Sequence, residues 1–144
     1  MTPASGLLLD TDVVAELRGP SPHPTVAEFL RRRRHFRIFV SALTIGELHL
    51  LSRQNEHFQE MDAWLDEFKE RFRPNILPVD VDVAAAWGSL SGDPAVAAID
   101  SLIAATALHK GLCVISGNAD AYRRLAVPAL NPWSEGTTSS TPAE

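Results

Sequence analysis

A three-layer α/β/α sandwich with a mostly parallel central sheet is the fold class this sequence predicts, and two observations predict it. Apolar, strand-like runs at residues 7–9, 36–40, 76–79 and 112–115 alternate with longer stretches of helical periodicity. Strands that alternate with helices join in parallel through right-handed crossovers. The first and last of these runs are continuous hydrophobes rather than alternating ones, as in strands covered on both faces. With 144 residues, 45% apolar and 22% charged, the chain has room for one domain with a real core.

The elements follow in order. Leu7-Leu8-Leu9 is a buried strand that delivers Asp10 to its carboxyl end, the edge at which open parallel sheets bind ligands. Thr11 or Asp12 is expected to cap the next helix, which leaves Asp10 free. Residues 13–17 make a short helix closed by Gly19-Pro20. Residues 25–34 form a second helix, with Val26, Phe29 and Leu30 on one side and arginines on the other. Residues 36–40 are β-branched and aromatic, a second strand. Ser41 ends it and caps a third helix over 42–53, on which Leu43, Glu47, Leu50 and Leu51 share a face. Residues 55–73 form a longer amphipathic helix with Phe58, Met61, Leu65 and Phe68 in its apolar row and Trp64 beside it, making a helical hairpin with its predecessor. After Pro74 come a strand at 76–79 and a helix at 81–90. A helix over 95–110 follows, buried through Val96, Ile99, Ile103 and Ala107, and Gly111 caps its end. Residues 112–115 are a fourth buried strand. A short helix over 121–125 leads to an edge strand at 127–130, marked as such by Pro128. Residues 1–133 therefore make the domain, and 134–144 are expected to be a disordered tail.

Composition excludes several classes. No apolar run is long enough to cross a bilayer and no secretion signal is evident, so a cytoplasmic location is expected. The single cysteine, Cys113, lies in an apolar strand and builds neither a disulfide nor a zinc site. A net charge of −5 argues against adhesion to nucleic acid by field alone. Arg31, Arg32, Arg33 and Arg34, with Arg37 beyond, are the local exception. They read equally as a solvated helix end, where the dipole favours cations, and as a phosphate-binding patch.

Four acids stand out. Asp10 and Asp120 follow strands, whereas Glu47 and Asp100 interrupt apolar helix faces, where an unpaired carboxylate is expensive. If those faces meet the sheet's carboxyl edge, the acids converge. Four carboxylates in a small, partly dry space raise one another's pKa unless a cation joins them. Oxygen-only ligands with room for water suit Mg²⁺ or Mn²⁺ better than zinc. Such an ion is equipment for hydrolysing a phosphodiester.

The stretches Leu8-Leu9-Asp10-Thr11-Asp12-Val13-Val14, Ser41-Ala42-Leu43-Thr44-Ile45-Gly46-Glu47-Leu48, Ile99-Asp100-Ser101-Leu102-Ile103-Ala104-Ala105-Thr106-Ala107 and Val127-Pro128-Ala129-Leu130-Asn131-Pro132-Trp133 resemble the PIN-domain ribonucleases. Within these, the chain is most similar to the VapC toxins of bacterial toxin–antitoxin pairs. The resemblance implies a PIN-like fold and an Mg²⁺-dependent endoribonuclease with Asp10, Glu47, Asp100 and a fourth acid in its site. Asp120 is taken as the fourth because it is the only carboxylate in its stretch. It further implies Asp10 and Asp100 as metal ligands, a homodimer, and a cognate antitoxin peptide lying across the groove, with Trp64 as an anchor. DNA would be met only through the antitoxin. Asp12, Ser116 and Asn118 are accessory candidates, and Arg31, Arg32, Arg33 and Arg34 candidates for holding RNA. The chain departs from the family twice. Asp12 stands where asparagine is usual. In the motif around the fourth acid, Ser116-Gly117-Asn118-Ala119-Asp120-Ala121-Tyr122, one spacing puts Ala121 where the acid belongs, and the other makes Asp120 the acid with Asn118 replacing its partner.

Two rivals remain. Asp10-Thr11-Asp12 after an apolar strand also resembles the first motif of haloacid-dehalogenase-like phosphatases, with Asp10 as nucleophile, Asp12 as general acid and Ser41 and Lys110 as phosphate binders. The other rival is a catalytically inactive PIN-fold partner in a DNA-binding regulatory complex.

Overall fold

A computed structural model describes residues 4–54, 61–90 and 92–134. Five strands form one sheet, in the order β3-β2-β1-β4-β5, with every neighbouring pair parallel. They are β1 (Gly6–Leu9), β2 (Arg37–Ser41), β3 (Ile76–Leu77), β4 (Cys113–Ile115) and β5 (Ala129–Leu130). The helices are α1 (Thr11–Arg18), α2 (Pro24–Arg32), α3 (Ala42–Gln54), α4 (Met61–Phe72), α5 (Val81–Ser89), α6 (Ala98–Lys110) and α7 (Ala119–Arg124).

Strand β1 lies at the centre and is buried throughout. Its side chains alternate between layers, as a pleated strand requires. Leu7 and Leu9 join one apolar core with Val13, Phe29 and Leu65, and Leu8 joins the other with Ile103, Val114 and Tyr122. The chain winds outward from β1 through β2 to β3, then returns to lay β4 on the opposite side of β1. The strand order therefore reverses between β1 and β4, and a crevice opens beyond their carboxyl ends. β5, the strand preceded by proline, lies at the edge as expected.

Several local expectations hold for a visible reason. Ser41 caps α3 by accepting the Leu43 N–H at 3.0 Å. Gly111 ends α6 with φ +67, the left-handed conformation that glycine adopts without strain. Cys113 is buried.

Others are corrected. α6 begins at Ala98 rather than 95, because the Asp93 side chain and backbone fold residues 93–96 into a turn. The first turn of α6 overhangs the sheet, so Ile99 is exposed, and the buried stretch is the unbroken run from Ile103 to Ala107. On α3, Leu50 is exposed, while Thr44 and Leu48 are buried. Phe58 and the expected helical start at 55–60 lie outside the described residues, as does nearly all of the expected tail. No helix among the described residues is long and apolar enough to cross a membrane.

Candidate active site

In a parallel α/β sheet, a helix that follows a strand starts at the sheet's carboxyl edge. α1 and α3 start there, and α6, running antiparallel into β4, starts there too. Their N-terminal ends carry Asp10, Asp12, Glu47 and Asp100 into the crevice between β1 and β4.

Asp10 is 7% exposed and is itself the cap of α1, which corrects the expectation that Thr11 or Asp12 would do this. Its Oδ1 accepts the Thr11 N–H at 2.8 Å. Its Oδ2 accepts the hydroxyls of Ser116 at 2.8 Å and Tyr122 at 2.9 Å. Capping and pocket-facing are compatible because a carboxylate has about four lone-pair sites and these bonds use three.

Glu47 is half-buried and accepts the Thr11 hydroxyl on Oε1, with the Thr44 hydroxyl 3.1 Å from the same threonine oxygen. A hydroxyl thus relieves the glutamate that breaks the apolar stripe. Asp100, also half-buried, lies beside the polar side chains of Asn118 and Tyr122. Burial, then the charges of Asp10 and Glu47, push its pKa up. Asp12 accepts the Gly117 N–H at 2.8 Å and opens to solvent on one side. Loss of hydration, then the charge of Asp10, raises its pKa from 3.8 to about 6, with Asp100 adding to the effect.

The structure brings Asp10, Glu47, Asp100, Asp12, Ser116 and Asn118 together. It does not bring Asp120 among them: that carboxylate is 84% exposed and pairs with Arg123 at 3.2 Å on the outer side of α7. Thr11, Thr44 and Tyr122 went unassigned in the sequence. The signal for Tyr122 was faint, namely the chain's single tyrosine at the last position of the motif around Asp120.

The donor set is all oxygen, gathered where like charges already raise two pKa values, and this is chemistry that fits a hard divalent cation. Among the described residues no group of three or more acidic, histidine or cysteine side chains is arranged to hold an ion unaided. Mg²⁺ asks for less, since it commonly keeps several waters and takes one or two carboxylates.

The arginine cluster sits elsewhere. It leads into the start of β2, which pairs with the start of β1, so a strand of about 13 Å separates it from the acids. Arg33 is buried with its guanidinium 3.7 Å from the Phe29 ring centre, while Arg31 and Arg32 pair with Glu28. Only part of the cluster is thus the solvated face that the sequence suggested. Lys110 precedes β4 at that same far edge, and Ser41 is fully buried where it caps α3, so neither offers a phosphate-binding group to the crevice.

A second concavity lies beside the crevice, on the α4 side of the sheet. It encloses about 290 Å³ and is lined by Leu9, Val14, Leu17, Trp64, Phe68 and Phe72, with Glu67 and Arg71 also bordering it. Trp64, Phe68 and Phe72 follow one another at helical spacing with ring centres 5.0 and 4.7 Å apart.

Comparison with known proteins is consistent with this geometry. A family model described as PIN domain matches residues 7–127. Over 136 residues the chain is 28% identical to Toxin FitB of Neisseria gonorrhoeae, covering 88% of this chain and 98% of that one. It is 22% identical to VapC ribonuclease Y4jK of Sinorhizobium fredii, over 88% and 97% of the two chains. Among solved structures, FitAB bound to an IR36 DNA fragment aligns with a TM-score of 0.75 and 26% identity over 88% and 95% of the chains. VapBC2 from Rickettsia felis, bound to a promoter DNA fragment, shares the fold with a TM-score of 0.71 at 17% identity, over 87% and 97%.

Proposed function

The chain belongs to the PIN domain family, and from that premise we propose that it is an Mg²⁺-dependent endoribonuclease, the toxin of a toxin–antitoxin pair, held inactive by a cognate antitoxin. The observation that carries this reading is the convergence of Asp10, Glu47 and Asp100 on the crevice where the strand order reverses. Residues 1–133 form the nuclease domain, and Mg²⁺ is the ion, for which Mn²⁺ can substitute.

In this reading Asp10 and Asp100 hold the ion, directly or through water. When bound, the ion polarises the phosphoryl oxygen and eases formation of hydroxide. Ser116, Tyr122 and the Thr11 N–H keep the Asp10 carboxylate in one orientation. Glu47, fixed by Thr11, accepts the proton of the attacking water as its oxygen bonds to phosphorus and the bond to the leaving ribose oxygen breaks. Asp120 has no step in this scheme. Arg31, Arg32, Arg33 and Arg34 remain, at most, distant contacts for a structured RNA.

The partner is a cognate antitoxin, in line with the FitAB and VapBC complexes that share the fold. Its peptide occupies the apolar groove of α4, with Trp64 as anchor, and an arginine from it reaches the acids. The toxin is a homodimer, and DNA is met only through the antitoxin.

The test is cleavage of total cellular RNA by purified, antitoxin-free protein in Mg²⁺ or Mn²⁺. Discrete fragments that require metal and vanish in Asp100→Ala support the nuclease. A folded wild type that cuts nothing with either ion overturns it and favours a catalytically inactive partner in a DNA-binding complex.

A further inference from the structure

The loop between β4 and α7 is gripped at one residue, through the peptide group before it and the peptide group after it. The Gly117 N–H donates to Asp12 Oδ2 at 2.8 Å, and the Gly117 carbonyl accepts from Asn131 Nδ2 at 3.1 Å. The approach is close enough that a side chain would have to displace the Asp12 carboxylate, since a Cβ on Gly117 would lie 2.7 Å from Asp12 Oδ2 and 3.1 Å from the Trp133 ring. Asn131 is itself held, because its Oδ1 accepts the N–H groups of Trp133 at 2.9 Å and Ser134 at 3.4 Å. The segment after β5 therefore folds back onto the loop.

On either side of Gly117 stand the residues that hold the acids. Ser116 donates to Asp10 and accepts the Asn118 N–H at 2.9 Å, and the Asn118 side chain lies beside Asp100. A shift of Gly117 would carry both away from their carboxylates.

We propose that Asp12 and Asn131 are positioning residues that clamp Gly117 through its N–H and its carbonyl and thereby keep Ser116 on Asp10 and Asn118 beside Asp100. The proposal rests on the metal-site reading above and adds to it two residues, on α1 and after β5, that set the affinity of the site without serving as its ligands.

The chemistry of the clamp gives a clean set of substitutions. Asp12→Asn keeps an oxygen that accepts the Gly117 N–H and removes the charge, whereas Asp12→Ala removes both. Asn131→Asp keeps the acceptor for Trp133 and loses the donor to Gly117. It also adds a negative charge near an acidic site, so weakened cation binding in this variant is not a charge effect.

Binding of Mn²⁺ to the full chain, read from the electron paramagnetic resonance signal of the free ion, is measured for the wild type and these three variants. Thermal unfolding in chelator checks that each is folded. Asp12→Ala and Asn131→Asp are expected to bind about tenfold more weakly or worse, as for other residues that orient metal ligands, and Asp12→Asn to stay within about threefold of wild type. The clamp is overturned if Asp12→Asn loses as much as Asp12→Ala, or if Asp12→Ala and Asn131→Asp bind like wild type. Should Asp12→Ala fail to fold, Asp12→Asn and Asn131→Asp decide, since the first must keep binding and the second must lose it. Wild type that binds no Mn²⁺ overturns the site reading and the clamp with it. Wild type that binds while every variant matches it overturns the clamp alone.

Discussion

Tyr122, on α7, donates its hydroxyl to the Asp10 carboxylate at 2.9 Å across 112 residues of sequence. The tyrosine is fully buried and its pKa is raised by burial and by the charges of Asp10 and Asp100, so it stays a donor. Tyr122→Phe removes that donor with little change in shape. Loss of one such bond costs about 1 kcal/mol of stability, while RNA cleavage is expected to fall by about 10–100-fold. Thermal unfolding and a cleavage time course, run side by side, read the two effects.

Asp100 and Asp120 separate by environment. Asp100→Ala removes a carboxylate from the crevice and is expected to cut the cleavage rate by about a hundredfold or more, the scale of several kcal/mol of lost transition-state stabilisation. Asp120→Ala removes an exposed carboxylate that pairs with Arg123 and leaves the rate within about twofold, since changes at such surface pairs are small. Equal losses in the two variants would restore Asp120 to the site.

The acids also set a pH dependence. Asp12 has its pKa raised from 3.8 to about 6 in the folded chain, and that of Asp100 moves the same way. The folded state therefore holds protons that the unfolded state has released. The stability this contributes is full below about pH 4 and is lost as pH rises through about 6. In chelator, the melting midpoint should fall over that window, and Asp12→Asn should flatten the fall. Saturating Mg²⁺ should raise the midpoint most at neutral pH, where the carboxylates are ionised.

Trp64 borders the apolar groove and stacks on Phe68. Trp64→Ala is expected to weaken antitoxin binding by about 2 kcal/mol, as for an aromatic anchor at an interface. Cleavage by the free protein should not change, because Trp64 is neither one of the acids nor a residue that hydrogen-bonds them. Calorimetry with the antitoxin peptide and a cleavage assay on the free toxin give the two readouts.

Much of the fold was legible because it is written in neighbouring residues. The three leucines of β1 read as a strand covered on both faces, Ser41 as a cap and Gly111 as a stop, each from local rules of burial and backbone geometry. Glu47 and Asp100 were legible for the opposite reason, as charges breaking patterns that wanted hydrophobes.

What joins these acids depends on the order of the strands. Laying β4 against β1 sets Ser116 and Tyr122 on Asp10, contacts between residues more than a hundred positions apart that no periodicity encodes. The place of Asp120 was likewise tertiary. Successive helical residues turn by about 100°, so Asp120 and Tyr122, two apart on α7, point to nearly opposite sides. Burial of the tyrosine commits the aspartate to solvent. The sequence by itself determined which residues carry charge and which segments form strands and helices. Only packing decided which charges share a pocket, because that depends on which faces the layers bury against each other.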